Sequence, residues 1–300
     1  MDNKLTCIFI FILLCMGTGS YAQKEISVVS VNRQMSRGEQ PGFYVSIPEG
    51  KSRDVISSYK KRFELNPKAT TKEIEGEFIT YGVVNKEFSP GAFIIYSKIV
   101  ETAEGVEMTV FVTEDSLTFM GENSDGDKVN KIKKTVLDFA VNEYRNVITR
   151  KLEVENDKLK QLRKDLDKQI DAENSNLKDI SSKQREIENY KSKIVENKSA
   201  LAAKTDQISR QQKMIENISD KNSPEHELAS KNLKNYQSDK KSMEKETEKM
   251  ERSIDDNEAE IRELERNNEE LKKQQSDSKE KVTAQEAVVD AVEQELSGIK

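Results

Sequence analysis

The chain has 300 residues, 35% of them charged and 34% hydrophobic, with no Trp and only 6% aromatic residues. That composition excludes one large globular core and suits long solvated helices beside a small domain. The formal net charge of −6 gives no electrostatic reason to expect nucleic acid or an anionic membrane surface as partner.

Residues 1–22 read as a secretory signal peptide. Lys4 supplies a positive start, Leu5 to Met16 is apolar apart from Thr6, and Ser20-Tyr21-Ala22 offers small residues before a cut at Gln23. The apolar run is shorter than the ~20 residues a spanning helix needs. No spanning segment is therefore expected after cleavage, and the expected location is exported, periplasmic or extracellular, associated with a bacterial envelope. Cys7 and Cys15 both fall inside this segment. The mature chain would then carry no disulfide, no thiol nucleophile and no Cys-ligated metal.

Residues 23–145 are expected to form a small α+β domain, an antiparallel sheet with two helices. Ile26, Val28, Val29 and Val31 predict a first strand, and Phe43, Val45 and Ile47 alternate along a second after a turn at residues 36–42. A helix follows from Ser52, its expected N-cap, with Val55, Ile56, Tyr59 and Phe63 on one face and Asn66-Pro67 as its end. Glu73 to Val84 predicts one strand, Ser89-Pro90-Gly91 a turn, and Phe93 to Val100 another strand. Thr102-Ala103-Glu104-Gly105 predicts a hairpin back into Val106, Met108, Val110 and Val112.

Asp115-Ser116-Leu117 resembles the O-glycosylation acceptor pattern of some Gram-negative envelope proteins, a signal of only three residues. Asp125-Gly126-Asp127 resembles part of a calcium loop but lacks the EF-hand spacing and its closing Glu. Asp125 or Asp127 is expected instead to cap a helix whose stripe is Val129, Ile132, Val136, Phe139 or Ala140, and Val147. That stripe should cover the open face of the sheet. Lys128, Lys131, Lys133 and Lys134 should form its solvated side.

Residues 146–300 are expected to form an antiparallel coiled-coil hairpin with its turn near 220–226. One seven-residue row is Leu233, Lys240, Thr247, Ile254, Ile261, Asn268, Gln275, Val282, Val289 and Leu296. A second, three residues on, is Tyr236, Met243, Met250, Asn257, Leu264, Leu271, Ser278, Gln285, Val292 and Ile299. Upstream, Leu152, Leu159 and Leu166, then Ile180, Ile187, Ile194, Leu201, Ile208 and Ile215, form one row. Its companion is read as Lys191, Lys198, Thr205 and Gln212. Ser223-Pro224 marks the break, with proline suited to a helix first turn and Ser223 to the N-cap.

Charge selects the partner of this seam. Residues 244–265 carry a net −6, and their mirror about residue 222, residues 180–201, carries +2. Residues 275–295 carry −4 against +2 in residues 150–170. A hairpin sets opposite charges together, whereas a parallel dimer sets the acidic stretch against its own copy. A monomer, or a homodimer through the coil, follows. The polar seam residues Asn257, Asn268, Gln275, Ser278 and Gln285 predict a stretch that is loosely paired or takes up another helix.

The single histidine, His226, falls at the expected tip between Glu225 and Glu227. A metal or acid–base role would need a second ligand or partner, and the mature sequence offers neither another His nor a Cys. No phosphate loop, dinucleotide fingerprint or zinc spacing occurs. No catalytic, cofactor-binding or metal-ligating residue is therefore assigned, and no enzyme activity or cofactor is expected. The sequence points to an exported, non-enzymatic structural or interaction protein acting as spacer, scaffold or adaptor. It would meet protein partners through the coil or the hairpin tip. The alternative is a ligand- or peptide-binding head positioned by the coil, which would need a sizeable apolar cleft between sheet and helix.

Overall fold

A computed structural model describes residues 25–64, 69–84 and 91–299. The expected signal peptide, the helix end at Asn66-Pro67 and the turn residues Ser89-Pro90 lie outside these. The chain is an α+β head followed by a helical hairpin. It divides into two compact units, one of residues 1–159 with 285–300 and one of residues 160–284.

In the first unit, six strands form one antiparallel sheet: β1 (Val29–Met35), β2 (Gly38–Pro48), β3 (Thr70–Ile74), β4 (Glu77–Val84), β5 (Ala92–Thr102) and β6 (Gly105–Thr113). Their order is β1-β2-β6-β5-β4-β3. Helix α1 (Ser52–Glu64) links β2 to β3. Helices α2 (Gly126–Asn217) and α3 (Pro224–Gly298) each contribute to both units.

The strand between 73 and 84 expected from sequence is two strands. Ile74 pairs with Glu77 across the two-residue turn Glu75-Gly76. Both turn residues have positive φ, 51° and 79°, the backbone of the tight turn whose twist matches paired strands. The expected 36–42 turn is also shorter. Met35 pairs with Gly38, so only Ser36 and Arg37 are left in the bend.

One sheet face packs on the helices. Phe43, Val45 and Ile47 of β2, Val106, Met108, Val110 and Val112 of β6, and Phe93, Ile95 and Ile99 of β5 meet Val55 and Tyr59 of α1. The same core takes in Val129, Ile132, Val136, Phe139, Ala140, Tyr144 and Ile148 of α2. The expected α2 stripe is there, with Ile148 buried at its far end where Val147 was expected. Val292 and Ile299 close the same core from the far end of the sequence. Tyr59 carries its hydroxyl into this core, where Ser97 Oγ donates to it at 3.0 Å and Thr80 Oγ1 lies at 3.1 Å. Both partners satisfy a group whose burial would otherwise be costly. Burial holds the Tyr59 hydroxyl above the ordinary tyrosine range.

The opposite face carries a smaller cluster of Met35, Ile79, Tyr96, Phe111 and Phe119. The tip of the β1–β2 hairpin reaches this cluster: Ser36 donates from N and Oγ to Glu77 of β4, at 2.9 and 2.6 Å. Gly42 lets the Phe111 ring of this cluster lie against β2. A Cβ there would sit 2.7 Å from the Phe111 ring, well inside contact distance.

Helix α1 is not capped as expected. Lys51 O accepts the N–H groups of Asp54 and Val55, which makes Lys51 the cap and Ser52 the first helical residue. Ser52 donates from N (2.9 Å) and Oγ (2.7 Å) to Glu101 Oε2 of β5. A carboxylate from the sheet thus meets the positive helix end. At α2 the expectation is met by Asp125, whose side chain accepts from Asp127 N and whose carbonyl accepts from Val129 N.

In the second unit the two arms run antiparallel. Asn176 Nδ2 donates to Asn268 Oδ1 at 2.8 Å, and both lie 46 residues from residue 222. The two seams expected in the second arm are the buried or half-buried ones along its whole length. In the first arm Ile180, Ile187 and Ile194 are buried as expected. The companion row differs: Lys191, Lys198, Thr205 and Gln212 are exposed, and Asn176, Lys183, Tyr190, Asn197, Lys204, Gln211 and Ile218 take the seam. Periodicity concealed this row because most of its members are polar.

Of the polar seam residues between 257 and 285, Asn257, Asn268, Gln275 and Gln285 are paired rather than loose. Asn257 donates to Glu186. Gln275 donates to Gln169 O at 3.3 Å and to Glu173 at 2.8 Å. In the first unit, Gln285 donates to the carbonyl and carboxylate of Glu155. The charges pair across the arms as the mirror about residue 222 implied: Lys183 with Glu260, Lys198 with Glu251, and Lys204 with Asp239. Lys204 also lies 5.1 Å from the Tyr236 ring centre, a cation–π contact.

Candidate functional site

The hairpin tip is built from short polar hydrogen bonds. α2 ends at Asn217 and α3 begins at Pro224. Between them Asp220 Oδ1 accepts from Asn222 N at 2.9 Å, and Asp220 O accepts from Ser223 Oγ at 2.8 Å. Ser223 Oγ in turn accepts the His226 N–H at 3.2 Å, the N-cap arrangement with Pro224 at the first helical position. His226 is thus a third helical residue whose backbone serves the cap, and its side chain is half-buried. Nearby, Leu228 is 61% exposed and Met214 54% exposed. These are apolar side chains that the pairing of the arms leaves in water.

A second surface lies on the sheet face opposite the helices. Arg33 of β1 extends over its neighbours: its guanidinium stands 4.2 Å from the Tyr44 ring centre, Nη1 donates to Thr109 Oγ1 at 3.4 Å, and Glu107 lies at 3.5 Å. Arg33, Thr109 and Glu107, with Gln34, Lys98, Val100 and Phe111, bound a depression of about 220 Å³ beside Tyr44. Its floor is partly apolar and Val100 is 45% exposed. Partial burial, then the neighbouring Glu107 carboxylate, hold the Tyr44 hydroxyl above the ordinary tyrosine range. Sequence reading missed this group because its members come from β1, β2, β5 and β6. Only the strand order makes them neighbours.

A polar groove also runs between α1 and α2, lined by Asp54, Ser57, Ser58, Lys61, Glu143, Asn146, Thr149 and Arg150. Arg150 donates to Asp54. Burial holds the Glu143 carboxyl above its ordinary range, and hydrogen bonds from Ser58 and Asn146 work against that rise. This is a polar lock between two helices. The space between sheet and helices is filled by side chains, with Tyr59 edge-on to Phe139 at 6.4 Å and 4.7 Å from Phe63.

Among the described residues no group of three or more His, Cys, Asp or Glu is placed to hold a metal ion. Among the same residues, no helix is long and apolar enough to cross a membrane. A scan against protein-family models finds no match to this chain, and no curated protein matches it.

Proposed function

We propose that the chain is an exported, non-enzymatic protein of the bacterial cell envelope, a spacer or scaffold whose helical hairpin offers its tip to a protein partner. The observation that carries this reading is the set of polar pairs across the arms, Asn176–Asn268 and Gln275–Glu173 foremost. Polar core pairs lower stability and fix one register. A hairpin made this way keeps a defined length and does not need another helix to complete its seam. The arms of the second unit, residues 160–217 and 224–284, would each span roughly 90 Å at 1.5 Å per residue.

With the seam closed on itself, apolar side chains near the tip become the available contact points. Leu228 and Met214 are the tip residues that give up most by standing in water. The test is crosslinking in intact cells followed by capture of the tagged chain, with Leu228→Lys and Met214→Lys made in parallel. Loss of a captured protein in the variants, at unchanged melting temperature, is the expected result. Retention of every captured protein would remove the tip from the proposal.

A second reading, ligand or peptide binding by the head, draws on the depression around Arg33, Lys98 and Phe111. It needs a different site from the sheet–helix cleft expected from sequence. Lys98→Glu, on an exposed side chain, separates the two readings, because it alters this depression and leaves the tip unchanged.

A further inference from the structure

The segment from Glu114 to Thr118 is left over by every account of folding given above. It bulges between the end of β6 and Phe119. Its base is closed by the bridge between Thr113 and Phe119 and by Met120 N donating to Val112 O at 2.9 Å. Five consecutive residues here are exposed or half-buried, between a buried Thr113 and a buried Phe119.

Asp115 holds the shape of this bulge. Its Oδ1 accepts from Leu117 N at 2.9 Å, from Thr118 N at 2.7 Å and from Thr113 Oγ1 at 3.1 Å. Ser116 N donates to Thr113 Oγ1 at 3.0 Å. These bonds occupy the backbone of the turn and the Asp115 carboxylate. They do not occupy the Ser116 hydroxyl, which has no hydrogen-bond partner among the described residues. Ser116 has φ of 67°, a left-handed conformation that a serine adopts at some cost. Leu117 stands 82% exposed. Nothing in the packing of the head calls for a leucine there or for a serine at a left-handed position.

We propose that Ser116 is the acceptor for an O-linked glycan, with Asp115 and Leu117 as the flanking residues that a glycosyltransferase reads. The Asp-Ser-Leu order matches the acceptor pattern noted in the sequence. The fold adds what three letters could not: the tripeptide lies in a fixed surface turn, with Ser116 half-buried between an exposed Asp115 and an exposed Leu117 that a transferase could meet. The exposed leucine then has a use as a recognition contact. The donor would be a sugar chain activated as a prenyl diphosphate. The bond from Ser116 Oγ to the anomeric carbon forms as the bond from that carbon to the diphosphate oxygen breaks. The hydroxyl proton passes to a base of the transferase, and prenyl diphosphate leaves.

This inference rests on the export reading, since such transfer takes place outside the inner membrane. The test is purification of the tagged full chain from its own cells. The mature N-terminus is read directly, and the peptide spanning Glu114 to Thr118 is fragmented by electron transfer to locate any modification. Glycan on Ser116 of the chain, and none in Ser116→Gly or Leu117→Asp, is expected. Gly at 116 accepts the backbone conformation, and Leu117 lies in water, so both variants should melt with the unchanged protein. A chain with its N-terminal segment removed and Ser116 bare overturns the glycan proposal alone. A chain retaining that segment with Ser116 bare overturns the export reading and the glycan together. Glycan retained at full level in Leu117→Asp also overturns the proposal, because the flanking residue would not be read.

Discussion

Tyr144 in α2 donates a 2.6 Å hydrogen bond to Glu295 near the end of α3, across 151 residues of sequence. Around it Arg145 donates to Ile299 O at 3.1 Å, Lys151 lies 3.4 Å from Glu295, and Val292 and Ile299 enter the core of the head. Residues 292–299 thus contribute directly to the core of the head. Tyr144→Phe should cost about 1.5–3 kcal/mol, the net worth of a hydrogen bond to a charged acceptor. The effect has a pH signature. Burial, then the bond to Glu295, hold the Tyr144 hydroxyl well above the ordinary tyrosine range. A folded-state pKa raised above the unfolded value gives stability that is fully present below about pH 10 and lost as pH rises further. Melting curves should therefore show the unchanged protein and Tyr144→Phe differing at neutral pH and converging in strong alkali. A constant difference across that range would mean that only packing is lost.

The Asn176–Asn268 pair makes a separate prediction about register. Asn268 is 5% exposed and its side-chain oxygen is satisfied only from the other arm. Asn268→Leu should destabilise by roughly 1–2 kcal/mol, because Asn176 is left facing an apolar group. The double change Asn176→Leu with Asn268→Leu should recover that loss and more, since apolar seam pairs are the more stable. Its cost should appear in alignment: cysteines placed as facing pairs should crosslink in several registers in the double variant and in one register in the parent. Equal selectivity in both would show that the isoleucine row alone sets the register.

Much of this fold was legible in the sequence, for reasons that particular residues make plain. Ile180, Ile187 and Ile194 mark a seam at any reading, and the mirror in charge about residue 222 anticipates the Lys183–Glu260 and Lys198–Glu251 pairs. The companion row was not legible. Lys183 and Lys204 look like surface until their opposing residues are known, because each long side chain carries its charge to an acid on the other arm while its stem lies on the seam. Glu75-Gly76 was missed for another reason: it sits among charged residues, Glu73, Glu75 and Glu77, with no second turn residue beside the glycine to mark a tight turn. The Arg33–Tyr44–Glu107 group is illegible in principle from one chain in linear order, since antiparallel pairing alone joins those positions. The Asp115-Ser116-Leu117 tripeptide was visible as a pattern, and only its fixed, exposed turn gives it weight.

The Ser52–Glu101 contact predicts how α1 responds to acid. Hydrogen bonds from Ser52 N and Oγ, ahead of the nearby Lys51 charge, hold the Glu101 carboxyl below the ordinary glutamate range. A depressed folded-state pKa gives stability that is present above the unfolded value and lost as pH falls through the folded one. Glu101→Gln should accordingly lower the melting temperature at neutral pH, and the difference should fade as the solution is made acid. Amide exchange would place the loss in the first turn of α1, where Ser52 N is left without its carboxylate. Faster exchange spread evenly over the sheet would instead point to a role for Glu101 within β5 itself.

Lys183 and Glu260 test the antiparallel pairing of the arms, and concentration tests whether it lies within one chain. The two groups touch across the arms, with their charges in the +2 and −6 stretches that face each other. Lys183→Glu sets an acid against Glu260, and Glu260→Lys sets a base against Lys183. Each single reversal should lower the melting temperature, more at low salt than at high, because exposed charges are screened. The double reversal should restore it in either a closed chain or an antiparallel pair of chains. Concentration tells these apart. A hairpin closed within one chain gives a melting temperature independent of protein concentration and the mass of one chain in light scattering. Pairing between chains makes the melting temperature rise with concentration by mass action. The intrachain hairpin is the expected outcome, since the cross-arm pairs Asn176–Asn268, Lys198–Glu251 and Lys204–Asp239 set opposite or complementary groups of the two arms together.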